Sequence, residues 1–188
     1  MLSEKLKEQT QQDHQYLEKM MVKDLKAIRT NGEYAALLQK FYSYFGGLEV
    51  KIDEVFDKTQ LPDAAERRKA QSLANDIRFL GGQVADKATG VALPSINNHL
   101  QALGALYVIE GSTLGGKIIS KMMQQQLGLT NNGVTFFEGY GDQSMRMWGT
   151  FKEMLNTQAT NPEQEAVVIT AANETFRKFG DWFKHSEN

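Results

Sequence analysis

Leu106-Tyr107-Val108-Ile109-Glu110-Gly111-Ser112-Thr113-Leu114-Gly115-Gly116-Lys117 decides the fold. Apolar residues on both sides of it recur at helical spacing, so the stretch sits inside one long helix from about Pro94 to Leu127. Yet Gly111, Gly115 and Gly116 fall within six residues. Each costs a helix on the order of 1 kcal/mol relative to alanine. A helix keeps such residues where its backbone must approach something closely or where it must bend. Gly111 and Gly115 are four apart and share a face, and Ser112 and Thr113 add hydroxyls that can hold water. A small-residue groove against another helix, or a loop between two helices, accounts for the pattern. So does a bent helix lying over a flat ligand. A phosphate loop does not, because GxxxxGK[ST] is absent.

Outward from this segment the same periodicity continues. Helices are expected over about Ser3–Met21, Gly32–Phe56, Pro62–Leu80, Asp142–Asn156 and Pro162–Lys184. The second carries Tyr34, Leu37, Leu38, Phe41, Phe45, Leu48, Ile52 and Phe56 as an apolar face. Asn31-Gly32, Gly81-Gly82, Gly128 to Gly133 and Gly139 to Gly141 punctuate the helices. The three prolines, at 62, 94 and 162, each fit a helix start. No segment alternates with period two over strand length. The expectation is an all-α, single-domain helical bundle over 1–188.

The composition narrows the function. The 188 residues are 41% hydrophobic and 23% charged, as in ordinary globular chains. Twenty-one Lys and Arg against 23 Asp and Glu give a net charge of −2, without the basic excess of a nucleic-acid binder. No cysteine is present, which excludes thiol catalysis, disulfides, iron–sulfur clusters and Cys-ligated zinc. No apolar run is long enough to span a membrane, and the polar start MLSEKLKEQTQQDH does not read as a signal peptide. The expected location is the cytoplasm.

Of three histidines, His185 lies near the chain end and His99 near a helix start. His14 is different: with Thr10, Leu17 and Met21 it shares the apolar side of the first helix. Taken alone it reads as a half-buried packing histidine. Two neighbours suggest more. Glu18, one turn on, can support a metal-bound imidazole from behind. Lys7, two turns back, stands about 10 Å away along a continuous helix. An imidazole with a cation at that reach suits a flat, acidic, iron-bearing ligand such as haem. No second histidine or methionine is obviously spaced as an opposite axial ligand; the eight methionines leave one open, though Met20-Met21 and Met122-Met123 read better as core packing. One protein ligand with the other face free is the arrangement that lets O₂ bind iron.

Leu106 to Gly116 resembles the distal helix of bacterial haem oxygenases, in particular those found with bacteriophytochromes. Thr10 to Glu18 (TQQDHQYLE) is similar to the family's proximal-histidine helix. Phe136 to Gly141, then Met147-Trp148 and Phe151, and the closing Phe176, Phe179 and Trp182 resemble further family stretches in the same order.

The resemblance implies haem held between a proximal and a distal helix, and O₂- and electron-dependent cleavage of haem to biliverdin with release of CO and ferrous iron. Carried across, His14 matches the iron ligand and Glu18 its support. Lys7 matches a propionate partner and Tyr107 a tyrosine near the other propionate. Gly111, Ser112, Gly115 and Gly116 match the distal wall, with Gly111, Ser112 and Gly115 at the reacting side. Thr113 sits where some members carry asparagine. The distal aspartate of animal enzymes has no match, since Ser112 falls near its place, so backbone carbonyls and Ser112 are left to organise water. Arg177 or Lys178 on the last helix could help fix the rotation of haem. A neutral imidazole, unlike a thiolate, does not push bound oxygen toward O–O cleavage. With no Rossmann fingerprint in the chain, the expected partner is an external reductase or ferredoxin, and neither nucleic acid nor membrane. The alternative is a protein of the same fold that binds haem for storage, delivery or sensing without degrading it. A haem-free helical enzyme and a plain interaction module are further readings.

Overall fold

The computed structural model describes residues 1–185, so the last three residues of the expected 1–188 domain lie outside the described residues. Among the described residues the regular structure is helical, without a strand. In order these are α1 (Leu2–Gln9), α2 (Gln11–Ala27), α3 (Asn31–Val55), α4 (Gln71–Phe79), α5 (His99–Leu127), α6 (Thr135–Glu138), α7 (Ser144–Gln158) and α8 (Pro162–His185).

Local signals set the ends of the longest helices. Thr30 opens α3 with a capping box: its hydroxyl accepts from the Glu33 amide at 3.2 Å, while Glu33 accepts from the Thr30 amide at 3.1 Å. Asn98 caps α5 by accepting from the Gln101 amide. Gly128, at φ 66°, closes α5 in the left-handed conformation that a side chain resists.

The core lies where α5 crosses α8 and α3. At Gly104 a Cβ would stand 2.5 Å from the Val168 carbonyl oxygen, so this crossing requires glycine. Around it the Phe41 ring meets Phe45, Phe137, Phe179 and Phe183 edge-on at 5.2 to 5.8 Å. Tyr44 stacks flat on Phe179 at 4.6 Å and donates its hydroxyl proton to the Thr175 carbonyl. Emptying one such ring position costs about 3–5 kcal/mol, so this cluster pins the middle of α3 to α6 and to the last turns of α8.

Three expectations need correcting. The first helix does not run unbroken from Ser3 to Met21. Thr10 donates its hydroxyl back to the Leu6 carbonyl at 2.7 Å and sits at φ −104°, ψ −2°, and the chain turns there from α1 into α2. Back-bonding of this kind bends helices. The expected Pro62–Leu80 helix is only α4, preceded by two 3₁₀ turns at Lys58–Gln60 and Ala64–Glu66. Arg67 and Arg68 are drawn inward there, so the backbone cannot present them as a solvated helix face. Accordingly only Pro162 begins a helix; Pro62 and Pro94 lie in the connections before α4 and α5. The short α6 was not legible between its flanking glycines. Buried Asp76 caps it, accepting from the Thr135 amide, the Thr135 hydroxyl and the Phe136 amide.

Candidate functional site

Helices α2 and α5 run side by side in the same direction and are tied at both ends. Tyr107 of α5 shares a hydrogen bond with the Thr10 side chain. Farther along, the Gln126 amide donates to the Leu25 and Ile28 carbonyls at 3.1 and 2.9 Å. Between these ties α2 leans on α8 rather than on α5. One turn beyond Thr10 stands His14, and one turn beyond Tyr107 stands Gly111, so the shared direction sets His14 across from the glycine stretch.

The walls of this slot are bare. No atom lies within 4 Å of where a Cβ at Gly115 would be, and at Gly111 the nearest is the Trp148 ring at 3.8 Å. Along the same face Ile118 is 69% exposed, and Val22, two turns past His14, is 41% exposed. Large apolar side chains left in water along two facing helices mark a surface that an apolar ligand covers.

His14 is not on a buried face, as its spacing predicts, but half exposed. Its Nε2 stands 3.1 Å from Glu18 Oε1, and its ring stacks on Phe176 at 5.1 Å. The face of α2 that holds Thr10 and Leu17 in the core opens at His14, where α2 parts from α5. The Glu18 contact is the one expected. By accepting a proton-bearing ring nitrogen, Glu18 fixes the tautomer and leaves the other nitrogen its lone pair, which is what a metal ligand needs. This single imidazole, the exposed apolar walls and the Cβ-free backbone fit haem. Among the described residues there is no cluster of three His, Cys, Asp or Glu that could hold a bare metal ion.

The other expected residues divide. Lys7 lies exposed in the last turn of α1, and the bend at Thr10 breaks its straight line to His14. Tyr107 is buried at the Thr10 tie, its ring 5.6 Å from Trp148. Burial pushes the Tyr107 phenol up. Gly116 and Thr113 face away from the slot. A Cβ on Gly116 would meet the Phe137 carbonyl oxygen at 2.3 Å, and the buried Thr113 hydroxyl donates to the Glu110 carbonyl. Both shape how α6 packs behind α5 rather than the slot itself. Arg177 pairs at 3.4 Å with Asp13, next to His14, whereas Lys178 is spent on the Val91 carbonyl at 2.8 Å.

Ser112 has a partner that the sequence reading missed. Arg68 donates through Nη2 to Ser112 Oγ at 2.6 Å and to the Ile109 carbonyl at 3.0 Å, and through Nη1 to the Phe136 carbonyl. Ser112 in turn donates to the Ile109 carbonyl at 2.6 Å. The Arg68 guanidinium lies 3.7 Å from the Phe136 ring centre, and burial lowers it to about 10. Behind it Arg67, 5% exposed, bonds Asp63, Glu110 and the Met147 carbonyl. Tyr140 donates to Glu110 at 3.0 Å and accepts from the Arg68 amide at 2.9 Å. Burial beside the Glu110 charge pushes the Tyr140 phenol up to about 12. One signal could have revealed this cluster. Glu110 interrupts the apolar run Leu106 to Ile109, and an acid buried in such a run requires a buried cation.

The heme oxygenase family model matches residues 1–185. The chain belongs to this family. Its members cleave haem to biliverdin, and the chain is an oxidoreductase of that kind. It is 27% identical over 146 residues to a heme oxygenase of Xanthomonas campestris, covering 78% of this chain and 86% of that one. It is 25% identical over 179 residues to heme oxygenase PigA of Pseudomonas aeruginosa, covering 95% and 89%. The fold matches a heme oxygenase of Neisseria meningitidis, whose structures carry NO and CO, with a TM-score of 0.85 at 20% identity over 99% of this chain and 92% of that one. It also matches heme oxygenase-1 of the cyanobacterium Synechocystis in complex with heme, with a TM-score of 0.77 at 21% identity over 99% and 92%. The all-α architecture expected from the sequence is thus that of the heme oxygenases, and haem is the family's ligand. No helix among the described residues is long and apolar enough to cross a membrane.

Proposed function

We propose that the slot between α2 and α5 is where this heme oxygenase holds its substrate, with His14 as the residue that would bind the iron and Gly111, Ser112 and Gly115 forming the opposite wall. The observation that carries this reading is the separation of α2 from α5 between two hydrogen-bonded ties, with a half-exposed imidazole on one wall and Cβ-free backbone on the other.

Bound haem supplies both the iron that takes up O₂ and the ring that is opened. The protein supplies the rest. Glu18 keeps one nitrogen of His14 protonated so that the other can bind metal. Gly111 and Gly115 let the α5 backbone approach without side chains between. Ser112 holds water on that side. Because Ser112 accepts from Arg68 and donates to Ile109, its hydroxyl has one lone pair left for a water molecule. With its own proton held by the Ile109 carbonyl and Arg68 bonded to its oxygen, the hydroxyl is fixed as an acceptor for that water. Ile118 and Val22 exclude bulk water once covered. Lys7 and Tyr107 stand toward one end of the slot, where the acidic edge of the substrate would lie, and Arg177, paired with Asp13, is near enough to assist. Thr113 and Gly116 act only indirectly, through the packing of α6. Electrons come from an external reductase or ferredoxin, a reading supported by the lack of any dinucleotide fingerprint in the sequence. With that donor goes the cytoplasmic location expected from the sequence.

The test is His14→Ala with added hemin and reductant. The expected outcome is loss of the imidazole-ligated spectrum and of biliverdin formation. A variant with the wild-type spectrum and product would overturn the ligand assignment.

A further inference from the structure

A cavity of about 40 Å³ lies behind α5, bounded by α3 and by the segment that carries Arg67 and Arg68. One water molecule needs about 10–15 Å³ of such space, so about three fit. Its lining is apolar along Ile52, Phe56, Leu106 and Ile109, and polar at Glu49 and Arg68. Three of the five Arg68 N–H groups are bonded, to Ser112, Ile109 and Phe136. Its Nε is buried without a partner among the described residues. A buried guanidinium N–H left unbonded costs more than an ordered water that would satisfy it. Across the cavity Glu49 gives Oε2 to the Ala70 amide, which leaves its other oxygen for a second partner.

We propose that this cavity holds water bridging Glu49 to Arg68 Nε, and that Glu49 is thereby a positioning residue whose ionisation sets how Arg68 serves Ser112. The proposal rests on Ser112 being the water-holding residue of the slot. With Glu49 ionised, the bridge draws the guanidinium charge backward toward α3. With Glu49 protonated, that charge is left to Ser112. Burial raises the Glu49 carboxyl, against the pull of the Ala70 amide and of Lys69 and Lys87, with Asp53 pushing the same way as burial. Lys58 and Glu110 are the other charged groups that line the cavity besides Arg67.

The Arg68 Nε–H can be watched directly by ¹⁵N NMR in the haem-free protein. Its resonance is expected to move with pH at the same midpoint as the Glu49 carboxyl carbon, and to stop moving in Glu49→Gln. A resonance that ignores the Glu49 titration in the wild type overturns the bridge, and this reading needs no variant to fold. With haem bound, Glu49→Gln is expected to lose one limb of the pH profile of biliverdin formation while haem affinity stays within about twofold, as for a group outside the binding surface. An unchanged profile removes Glu49 from the reaction. Failure of Ser112→Ala to alter the profile, with the NMR coupling intact, would instead fault the reading of the slot.

Discussion

The two sides of α5 are built on opposite terms. On the slot side, Gly111 and Gly115 touch almost nothing and Ile118 stands in water. On the reverse side, four residues away at most, Glu110 is 2% exposed between Arg67 and Tyr140, Thr113 is 1% exposed, and Gly116 lies under the Phe137 carbonyl. One short motif thus carries residues that fold the protein and residues left unused by folding. The side that packs against least is the one proposed to take the ligand.

Substitutions on the two sides should separate stability from haem binding. The largest effect is expected at Glu110→Ala, which leaves Arg67 buried with only Asp63 as counter-charge and takes the acceptor from Tyr140. Breaking a buried pair in this way costs about 3–5 kcal/mol, measurable by urea unfolding. Next is a matched pair. Gly116→Ala should destabilise by about 1–3 kcal/mol, because rigid backbone at 2.3 Å must move. Gly115→Ala should be neutral or stabilise by up to about 1 kcal/mol, since its site is open and helical, while weakening hemin binding in a spectral titration. Equal losses of stability in the two variants would break the contrast. The smallest effect is expected at Lys7→Ala: unchanged stability to within about 0.5 kcal/mol, as for exposed sites, with an altered mixture of biliverdin isomers on chromatography. An isomer mixture identical to wild type would remove Lys7 from the site.

The helices were legible where apolar spacing alone determines them. α3, α5, α7 and α8 begin and end within about five residues of their expected bounds, because apolar residues recur at helical spacing along each. The bend at Thr10 was not legible. It comes from a single hydroxyl bonding back to Leu6, which leaves the hydrophobic pattern of Leu6, Thr10 and Leu17 intact. Nor was the inward course of Arg67 and Arg68. Arg67-Arg68-Lys69 reads as a solvated charge run, and only Lys69 behaves as one. Arg67's acidic partner Glu110 lies 43 residues beyond it, outside any local window. At the slot, the residue types were readable and their surroundings were not. His14 and Glu18 pair as spacing predicts, but periodicity cannot tell a face turned to the core from one turned to an opening. The three glycines looked alike in sequence and differ in what lies opposite each.

The ties at Thr10–Tyr107 and at Gln126 also limit how the proposed slot could admit a rigid plate. A helix fastened at both ends cannot swing like a door. It widens its gap only by bowing at mid-span, where Leu17 and Met21 rest against their neighbours. Were the proposed slot to take a flat substrate, passage through such a gap would run edge-first along its open flank.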